Sequence, residues 1–69
     1  PVDADSAVAK LEEKIRRVLN RGPKTDRELK QATNANRAGL WFYASAKQNL
    51  RNSQELFWDK KRQRWTIQV

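Results

Sequence analysis

The 69-residue sequence contains no cysteine and no histidine. Without cysteine the chain can form no disulfide and no thiolate metal site, and without histidine it lacks the commonest metal ligand and the usual general base at neutral pH. Zinc fingers, Ser/His/Asp or cysteine nucleophile sites and c-type haem attachment are therefore excluded. We expect a protein that is not an enzyme, with no catalytic residue, no metal site and no cofactor.

Long apolar runs are also missing. The longest, Leu40 to Ala44, falls far below the ~18 residues that indicate a membrane-spanning helix. The length suits one small domain, and the chain begins with Pro1 rather than Met. We therefore expect a linker over residues 1–6 and one domain over residues 7–69, cut from a longer protein whose other domains lie outside this fragment.

Basic side chains dominate the composition. Lysine and arginine number 15 against 8 aspartates and glutamates, which gives a net charge of +7. Residues 1–13 have a net charge of −3, whereas residues 14–69 hold fourteen basic and four acidic side chains, a net charge of +10. Such a domain favours a polyanionic partner, nucleic acid before an anionic membrane. The expected location is cytoplasmic or nucleoid-associated, or nuclear in a eukaryote, with no membrane partner.

Two helices are predicted in the first half of the chain. The first is capped by Asp5 or Ser6 and stopped by Gly22-Pro23, and its apolar residues recur with the 3.6-residue period of one helix face: Val8, Leu11, Ile15, Val18 and Leu19. The second begins after Thr25, which forms a capping box with Glu28, and ends near Thr33, with Leu29 and Ala32 as its apolar contacts.

A third helix is predicted over about residues 37–52, with Asn36 as its cap. Projection at 100° per residue places five residues on a core face, namely Gly39, Phe42, Tyr43, Ala46 and Leu50. The opposite face carries Arg37, Trp41, Ala44, Ser45 and Gln48, flanked by Lys47 and Arg51. We expect a close helix–helix approach at Gly39.

The C-terminal segment predicts a β-hairpin. Residues 56–58 and 64–69 are rich in aromatic and β-branched side chains, and the second run alternates with period two. The polar connection over residues 59–63 contains no glycine, which favours a loop of four or five residues over a tight turn. The face of Trp65 and Ile67, with either Leu56 and Trp58 or Phe57, should pack onto the helices.

This order of elements resembles the winged helix-turn-helix family of DNA-binding domains over about residues 7–69. The residues that carry the resemblance are 21–29 leading into the second helix, 56–58 and 64–67 in the hairpin, and Tyr43, Ala46 and Leu50 in the third helix. The resemblance implies an α+β, mainly helical fold: a three-helix bundle with a C-terminal β-hairpin wing. The order of elements is also similar to that of the small winged-helix modules appended to bacterial, phage or plasmid regulators and replication proteins.

The resemblance also implies double-stranded DNA as the partner, with helix 37–52 in the major groove and the basic wing, residues 59–64, on the backbone or in the minor groove. Arginine can pair with guanine and glutamine with adenine, wing cations can neutralise phosphates, and a helix N-terminus attracts anions. The candidate DNA-binding residues are Lys24, Thr25, Arg27, Asn36, Arg37, Trp41, Ser45, Lys47, Gln48, Arg51, Lys60, Lys61, Arg62 and Arg64.

Two other functions remain open at this point. Trp41, Phe57 and Trp58 could form the surface of a protein-interaction module, and Trp58 with Trp65 could stack the bases of single-stranded nucleic acid. Against these, Trp58 and Trp65 are expected to be packing residues of the wing, and Trp41 is expected to pack under the wing or beside the second helix.

Overall fold

A computed structural model describes residues 4–68. This part of the chain is mainly helical and ends in a two-stranded antiparallel hairpin, which gives an α+β layout. Its elements are α1 (Ala4–Asn20), α2 (Asp26–Ala32), α3 (Ala35–Ala38), α4 (Leu40–Asn52), β1 (Leu56–Asp59) and β2 (Arg64–Ile67). No helix within residues 4–68 is long and apolar enough to cross a membrane.

Helix α1 lies close to its predicted position. It ends at Asn20 before Gly22, and its buried residues are Val8, Leu11, Ile15 and Leu19, with Val18 partly buried against them. Asp5 and Ser6, the predicted caps, lie inside the helix, because α1 already includes Ala4. Residues 4–6 of the expected linker are thus helical, while residues 1–3 lie outside the described part.

Helix α2 begins with the predicted capping box. The Thr25 hydroxyl accepts the Glu28 backbone N–H at 3.2 Å, and Glu28 Oε1 accepts the Thr25 N–H at 3.0 Å. Leu29 is fully buried, but Ala32 is exposed, so its prediction as an apolar contact is wrong. Buried Thr33 takes its place after the helix, where its hydroxyl donates to the Leu29 carbonyl at 2.8 Å.

The predicted third helix is two helices, α3 and α4, and the expected three-helix bundle therefore has four helices within residues 4–68. The break lies at Gly39, whose φ of 116° and ψ of 120° take the backbone out of helical geometry. A Cβ built at Gly39 would lie 3.1 Å from Cδ2 of Phe42. The glycine thus permits a bend and not the expected helix–helix approach.

The start predicted for the third helix is also wrong. Asn36 does not cap a helix but lies inside α3, and the residue preceding α3 is Asn34, in the left-handed region with φ of 55°. The left-handed region suits asparagine because its short polar side chain tolerates positive φ. Arg37 consequently belongs to α3, on the other side of the Gly39 bend from α4.

One hydrophobic core joins all of these elements. Its buried α4 residues are Tyr43, Ala46 and Leu50, as predicted. They pack with the four buried α1 residues, with Leu29 of α2 and with Ala35 of α3, and the hairpin adds Leu56 and Trp65. Phe42 is only partly buried, because it packs beside the Gly39 bend.

The hairpin register decides which face packs on the helices. Leu56 pairs with Ile67 and Trp58 with Trp65, so these four side chains share the inner face of the two strands. Phe57 pairs with Thr66 on the outer face. A further antiparallel bridge joins Trp65 to Lys24, which precedes α2. This bridge, absent from the sequence-based prediction, holds β2 against the start of the second helix. The predicted last strand residue, Val69, lies outside the described residues.

Candidate nucleic-acid interface

Residues 60–63 form the loop that joins the two strands. Hydrogen bonds to a carboxylate just before the loop hold its reversal. Oδ1 of Asp59 accepts the backbone N–H groups of Lys61 at 3.0 Å and Arg62 at 3.3 Å. Gln63 then completes the reversal in the left-handed region, with φ of 54°. The loop therefore has four residues and a fixed path, which agrees with the prediction of a four- or five-residue connection.

Four cations lie on this loop and the residue after it. Lys60 and Lys61 are exposed and form no ion pair with any residue from 4 to 68. Arg62 is 3.9 Å from Asp59, a long and exposed contact, and Arg64 donates to the Arg62 carbonyl at 3.3 Å. At least the two lysines are free to meet an anion.

The exposed face of α4 contains the residues predicted to read DNA. Gln48 is exposed and donates its side-chain amide to Asn52 at 3.1 Å, one turn further along the helix. Ser45 is half-buried, and Ala44 beside it is exposed. The face is therefore polar in its second half and has little bulk at its centre.

Trp41, in the first turn of α4, is 69% exposed, so the expectation that it packs under the wing or beside the second helix is wrong. Its ring meets Phe42 edge-on, with 5.3 Å between the ring centroids. Leu40 beside it is 53% exposed. The start of α4 thus presents two large apolar side chains to solvent, with Trp41 on the face that the helical projection placed opposite the core.

The start of α2 is less suited to an anion than the sequence indicated. Both the hydroxyl and the N–H of Thr25 are engaged by Glu28. The hydrogen bonds from the Thr25 backbone and hydroxyl hold the pKa of the Glu28 carboxyl below its usual value, so a negative charge already lies at this helix terminus. Arg27 is exposed and Lys24 half-buried, and neither forms an ion pair with a described residue.

Asp26 is the most highly connected polar residue between α2, α4 and the hairpin. Its Oδ1 accepts the Trp65 indole N–H at 3.0 Å and the Lys47 ammonium at 3.1 Å, and its Oδ2 lies 3.3 Å from the Lys30 ammonium. Burial opposes ionisation of this carboxyl, but the hydrogen bonds from Trp65 and Lys47 outweigh it and lower the pKa. We call Asp26, Lys30, Lys47 and Trp65 the Asp26 junction.

An open cleft of about 430 Å³ lies over this junction, lined by Asp26, Lys47, Arg51, Trp58 and Trp65. The Lys47 ammonium lies 4.7 Å from the Tyr43 ring centroid and 5.0 Å from that of Trp65, with only 19% of its side chain exposed. The exposed Arg51 guanidinium is 5.7 Å from the Trp65 ring. Lys47 thus serves the fold, while Arg51 remains available beside the hairpin.

The aromatic residues of the hairpin have different exposures. Trp65 is buried, 8% exposed, and packs edge-on against Trp58 with 4.9 Å between ring centroids. Trp58 and Phe57 are 38% and 42% exposed on opposite faces. A platform that stacks single-stranded bases on both tryptophans would need the Trp65 ring, and this ring is covered.

The two predicted residues on α3, Asn36 and Arg37, are both exposed. They are separated from Trp41, Ser45 and Gln48 by the Gly39 bend. Within the described residues no group of three or more acidic side chains could hold a metal ion.

Positive and negative side chains are used differently in the fold. Each of the six acidic residues between positions 12 and 59 has a hydrogen-bond or ion-pair partner. Of the 15 lysines and arginines, four are in ion pairs, Arg16, Lys30, Lys47 and Arg62, and the other eleven have no such partner within residues 4–68. The unmatched charge is therefore almost entirely positive.

The sequence analysis did not predict the role of Asp26. A signal was present: Asp26 is an acidic residue in a strongly basic stretch, one residue after a helix cap. Its partners Lys47 and Trp65 lie 21 and 39 residues away, and no local pattern joins positions so far apart.

Comparison with known proteins gives no relative: no family model, no curated protein and no solved structure matches this chain.

Proposed function

We propose that this chain is a winged-helix module that binds double-stranded DNA, as one domain of a larger regulatory or replication protein. Helix α4 enters the major groove, and the hairpin loop, as the wing, lies on the backbone or in the adjacent minor groove. The observation that carries the proposal is the division of charge, in which the six acidic side chains between positions 12 and 59 have partners while eleven cations form no ion pair within residues 4–68.

The dimensions of α4 suit a DNA groove. Its 13 residues make a rod about 20 Å long at 1.5 Å per residue, and a major groove about 12 Å wide admits one helix. Its centre carries the small side chains of Ala44 and Ser45, which permit a close approach to base edges. Trp41 lies at one end of this face and Gln48 towards the other.

Gln48 is the best-placed residue for reading a base. Its Nε2 already donates to Asn52, which orients the amide and leaves its oxygen and second N–H for a partner. A glutamine amide can pair with both N6 and N7 of adenine. We therefore assign sequence preference to Gln48 and general affinity to the cations around it.

The hairpin loop supplies the phosphate contacts. Lys60 and Lys61 are exposed on a loop whose backbone Asp59 holds in place. Arg51 and Trp58 line one cleft, so the hairpin lies alongside the second half of α4. A duplex seated on α4 would thus meet the hairpin, where each cation that neutralises a phosphate releases counterions and makes binding salt-dependent.

The test is a salt titration of duplex binding by the wild type and by a Lys60→Gln/Lys61→Gln variant. We expect the loop variant to bind all duplex sequences more weakly and to lower the slope of log K against log salt by about 0.9 for each lost phosphate contact. Gln48→Ala should change the preference among sequences more than the total affinity.

A Lys10→Gln/Lys14→Gln variant of α1 is the matched control, since it removes the same charge from a helix face that the proposal does not use. Equal losses in the two double variants would mean that net charge alone drives binding. Undetectable duplex binding by the wild type at low salt, or binding that barely changes with salt, would exclude the proposal.

A second candidate function is protein interaction, which the exposure of Leu40 and Trp41 favours. In the DNA-binding proposal Trp41→Ala lowers duplex affinity, because the ring stands at the start of the groove-facing surface. Duplex affinity equal to that of the wild type would assign this pair to a protein partner instead. A single strand that competes as well as the duplex would favour the single-strand alternative at Trp58.

A further inference from the structure

A row of cations runs along α1, outside the surface proposed above. It consists of Lys10, Lys14 and Arg17 on the helix and Arg21 directly after it, and we call it the α1 cation row. Spacings of four and three residues place the three α1 side chains within an arc of about 60° at 100° per residue, over about 10 Å of helix axis, and Arg21 follows directly after the helix. All four are exposed, and none forms an ion pair within residues 4–68.

Glu12 and Glu13 of α1 are engaged by residues outside this row. Glu13 pairs with Arg16 at 3.6 Å, and Arg16 makes two hydrogen bonds with Glu55, at 3.0 and 3.1 Å. Glu12 accepts the Asn49 amide at 3.4 Å. These contacts lie on the flank of α1 that faces the end of α4 and the start of β1. The row is therefore left as neighbouring like charges, an arrangement that destabilises a helix until an anion neutralises it.

The row borders a cleft on the opposite flank. A hollow of about 260 Å³ is lined by Lys14, Arg17 and Arg21 on one side and by Ala32 and Asn34 on the other, with Val18 at its floor. The cleft brings three cations of the row to one concave surface. A concave, basic surface suits a rod-shaped polyanion better than a flat array of separated charges does.

The row does not share a face with the DNA surface of α4. The buried residues of α1, including Leu11 and Ile15, pack with the buried residues of α4, including Tyr43 and Leu50. Helix α1 therefore lies behind α4 when α4 is viewed from its exposed side, with about 8–10 Å between the axes of packed helices. The row points outward from this rear helix, so one straight duplex seated on α4 does not reach it.

The chemistry of the row favours nucleic-acid phosphates over other anionic partners. A helix that lies on an anionic membrane needs an exposed apolar face, and the apolar face of α1 is buried in the core. The centre of a protein–protein interface is depleted in lysine and enriched in aromatic residues, and the row consists of lysines and arginines alone. A row of exposed cations matches a sugar-phosphate backbone.

We propose that the α1 cation row is a second phosphate-binding surface, with which one copy of the chain holds a second duplex segment while α4 and the hairpin loop hold the first. This inference rests on the proposed function, since it adds a segment to the same partner. The chain then acts as a bridge between two stretches of DNA.

The experiment compares two variants that each lose four positive charges. One replaces the row (Lys10→Gln, Lys14→Gln, Arg17→Gln, Arg21→Gln), and the other replaces the loop cations (Lys60→Gln, Lys61→Gln, Arg62→Gln, Arg64→Gln). Affinity for one labelled duplex is measured first. Capture of a second labelled duplex is then measured with protein bound to a duplex on beads, and sedimentation gives the stoichiometry.

We expect the wild type to capture the second duplex in a complex of one chain with two duplexes. The row variant should bind the first duplex within about threefold of the wild type and lose at least about tenfold in capture of the second. The loop variant should already lose affinity for the first. Thermal unfolding of the row variant serves as the folding control, and its midpoint should equal or exceed that of the wild type, because like-charge repulsion is removed.

The failures are separable. No duplex binding by the wild type would overturn the proposed function itself. Binding of one duplex without capture of a second would overturn only the inference, as would capture that survives neutralisation of the row. If the row variant and the loop variant lost equal affinity for the first duplex, net charge would explain the binding and no second surface would be needed. If the row variant lost binding to anionic phospholipid vesicles but still captured the second duplex, the row would be assigned to a membrane instead.

Discussion

The Asp26 junction, whose Trp65 lies in β2, and the hairpin loop that precedes β2 handle charge in opposite ways. In the junction one carboxylate receives an indole N–H and two ammonium groups. At the loop, the Asp59 carboxylate at the end of β1 accepts backbone N–H groups, and the Lys60 and Lys61 side chains remain exposed.

The difference shows how a small basic domain can separate stability from binding. A partly buried lysine such as Lys47 needs a partner, because an unpaired charge away from water is costly. An exposed lysine such as Lys60 needs none, and an ion pair on the surface would contribute little. We therefore expect changes at the junction to alter unfolding and changes in the loop to alter DNA binding, with little exchange between the two.

The largest effect should come from Asp26→Ala. The variant removes the acceptor of the Trp65 indole and the counter-charge of Lys47, both of which are largely covered. We expect a loss of about 1–3 kcal/mol in the free energy of unfolding, measured by urea denaturation. Lys60→Gln/Lys61→Gln is the comparison and should stay within about 0.5 kcal/mol of the wild type. Similar losses in the two variants would contradict the separation of roles.

Acid should weaken the Asp26 junction. The pKa of the Asp26 carboxyl is lowered in the folded protein, so its contribution is fully present above the unfolded-state pKa near 3.8 and is lost as pH falls through the lower folded value. Glu55, whose pKa the Arg16 guanidinium lowers, behaves in the same way from its unfolded value near 4.5.

The measurement is the unfolding midpoint in urea between neutral pH and about pH 3. The wild type should lose stability as pH falls below about 4.5, and Asp26→Asn should lose less, because it has no carboxylate to protonate there. Glu55→Gln is the matched control and should remove a separate part of the same dependence. An Asp26→Asn variant with the full acid dependence of the wild type would exclude Asp26 as its source.

Local patterns in the sequence predicted most of the fold. The apolar stripe of α1, the Thr25–Glu28 capping box and the alternation of Trp65 and Ile67 each express a physical preference within a few residues. The α+β layout with a terminal hairpin followed from these patterns. The bend at Gly39 did not follow from these patterns. One continuous helix was projected through this glycine, and its positive φ is seen only in the structure.

The candidate interface was predicted less well, for a related reason. The exposure of Lys60, Lys61 and Gln48 could be inferred from their place in a loop or on a polar helix face. The burial and ion pairing of Lys47 could not be inferred, because they depend on the distant residues Asp26 and Trp65. Trp41 was misplaced because a large apolar side chain is normally buried, whereas Trp41 is exposed on the face projected opposite the core.

The smallest predicted effect concerns the turn that presents the loop cations. Gln63 holds φ of 54°, a conformation that costs a residue with a Cβ about 1–2 kcal/mol, and glycine avoids this cost but loses more chain entropy on folding. Gln63→Gly should therefore raise the free energy of unfolding by about 0.5–1 kcal/mol. Because the loop path and the charges of Lys60 and Lys61 are kept, duplex affinity should not change.

Gln54→Gly is the matched control for this change, since Gln54 has φ of 62° between α4 and β1, away from the loop. Both variants should gain stability by a similar amount in urea denaturation and bind duplex DNA as the wild type does. If only Gln63→Gly weakened duplex binding, the rigid turn at Gln63 would itself be needed to aim the loop cations. The position of the loop cations would then depend on the left-handed backbone conformation at Gln63. In that case side chains of the junction and the loop would have separate roles in stability and binding, but the loop backbone would contribute to both.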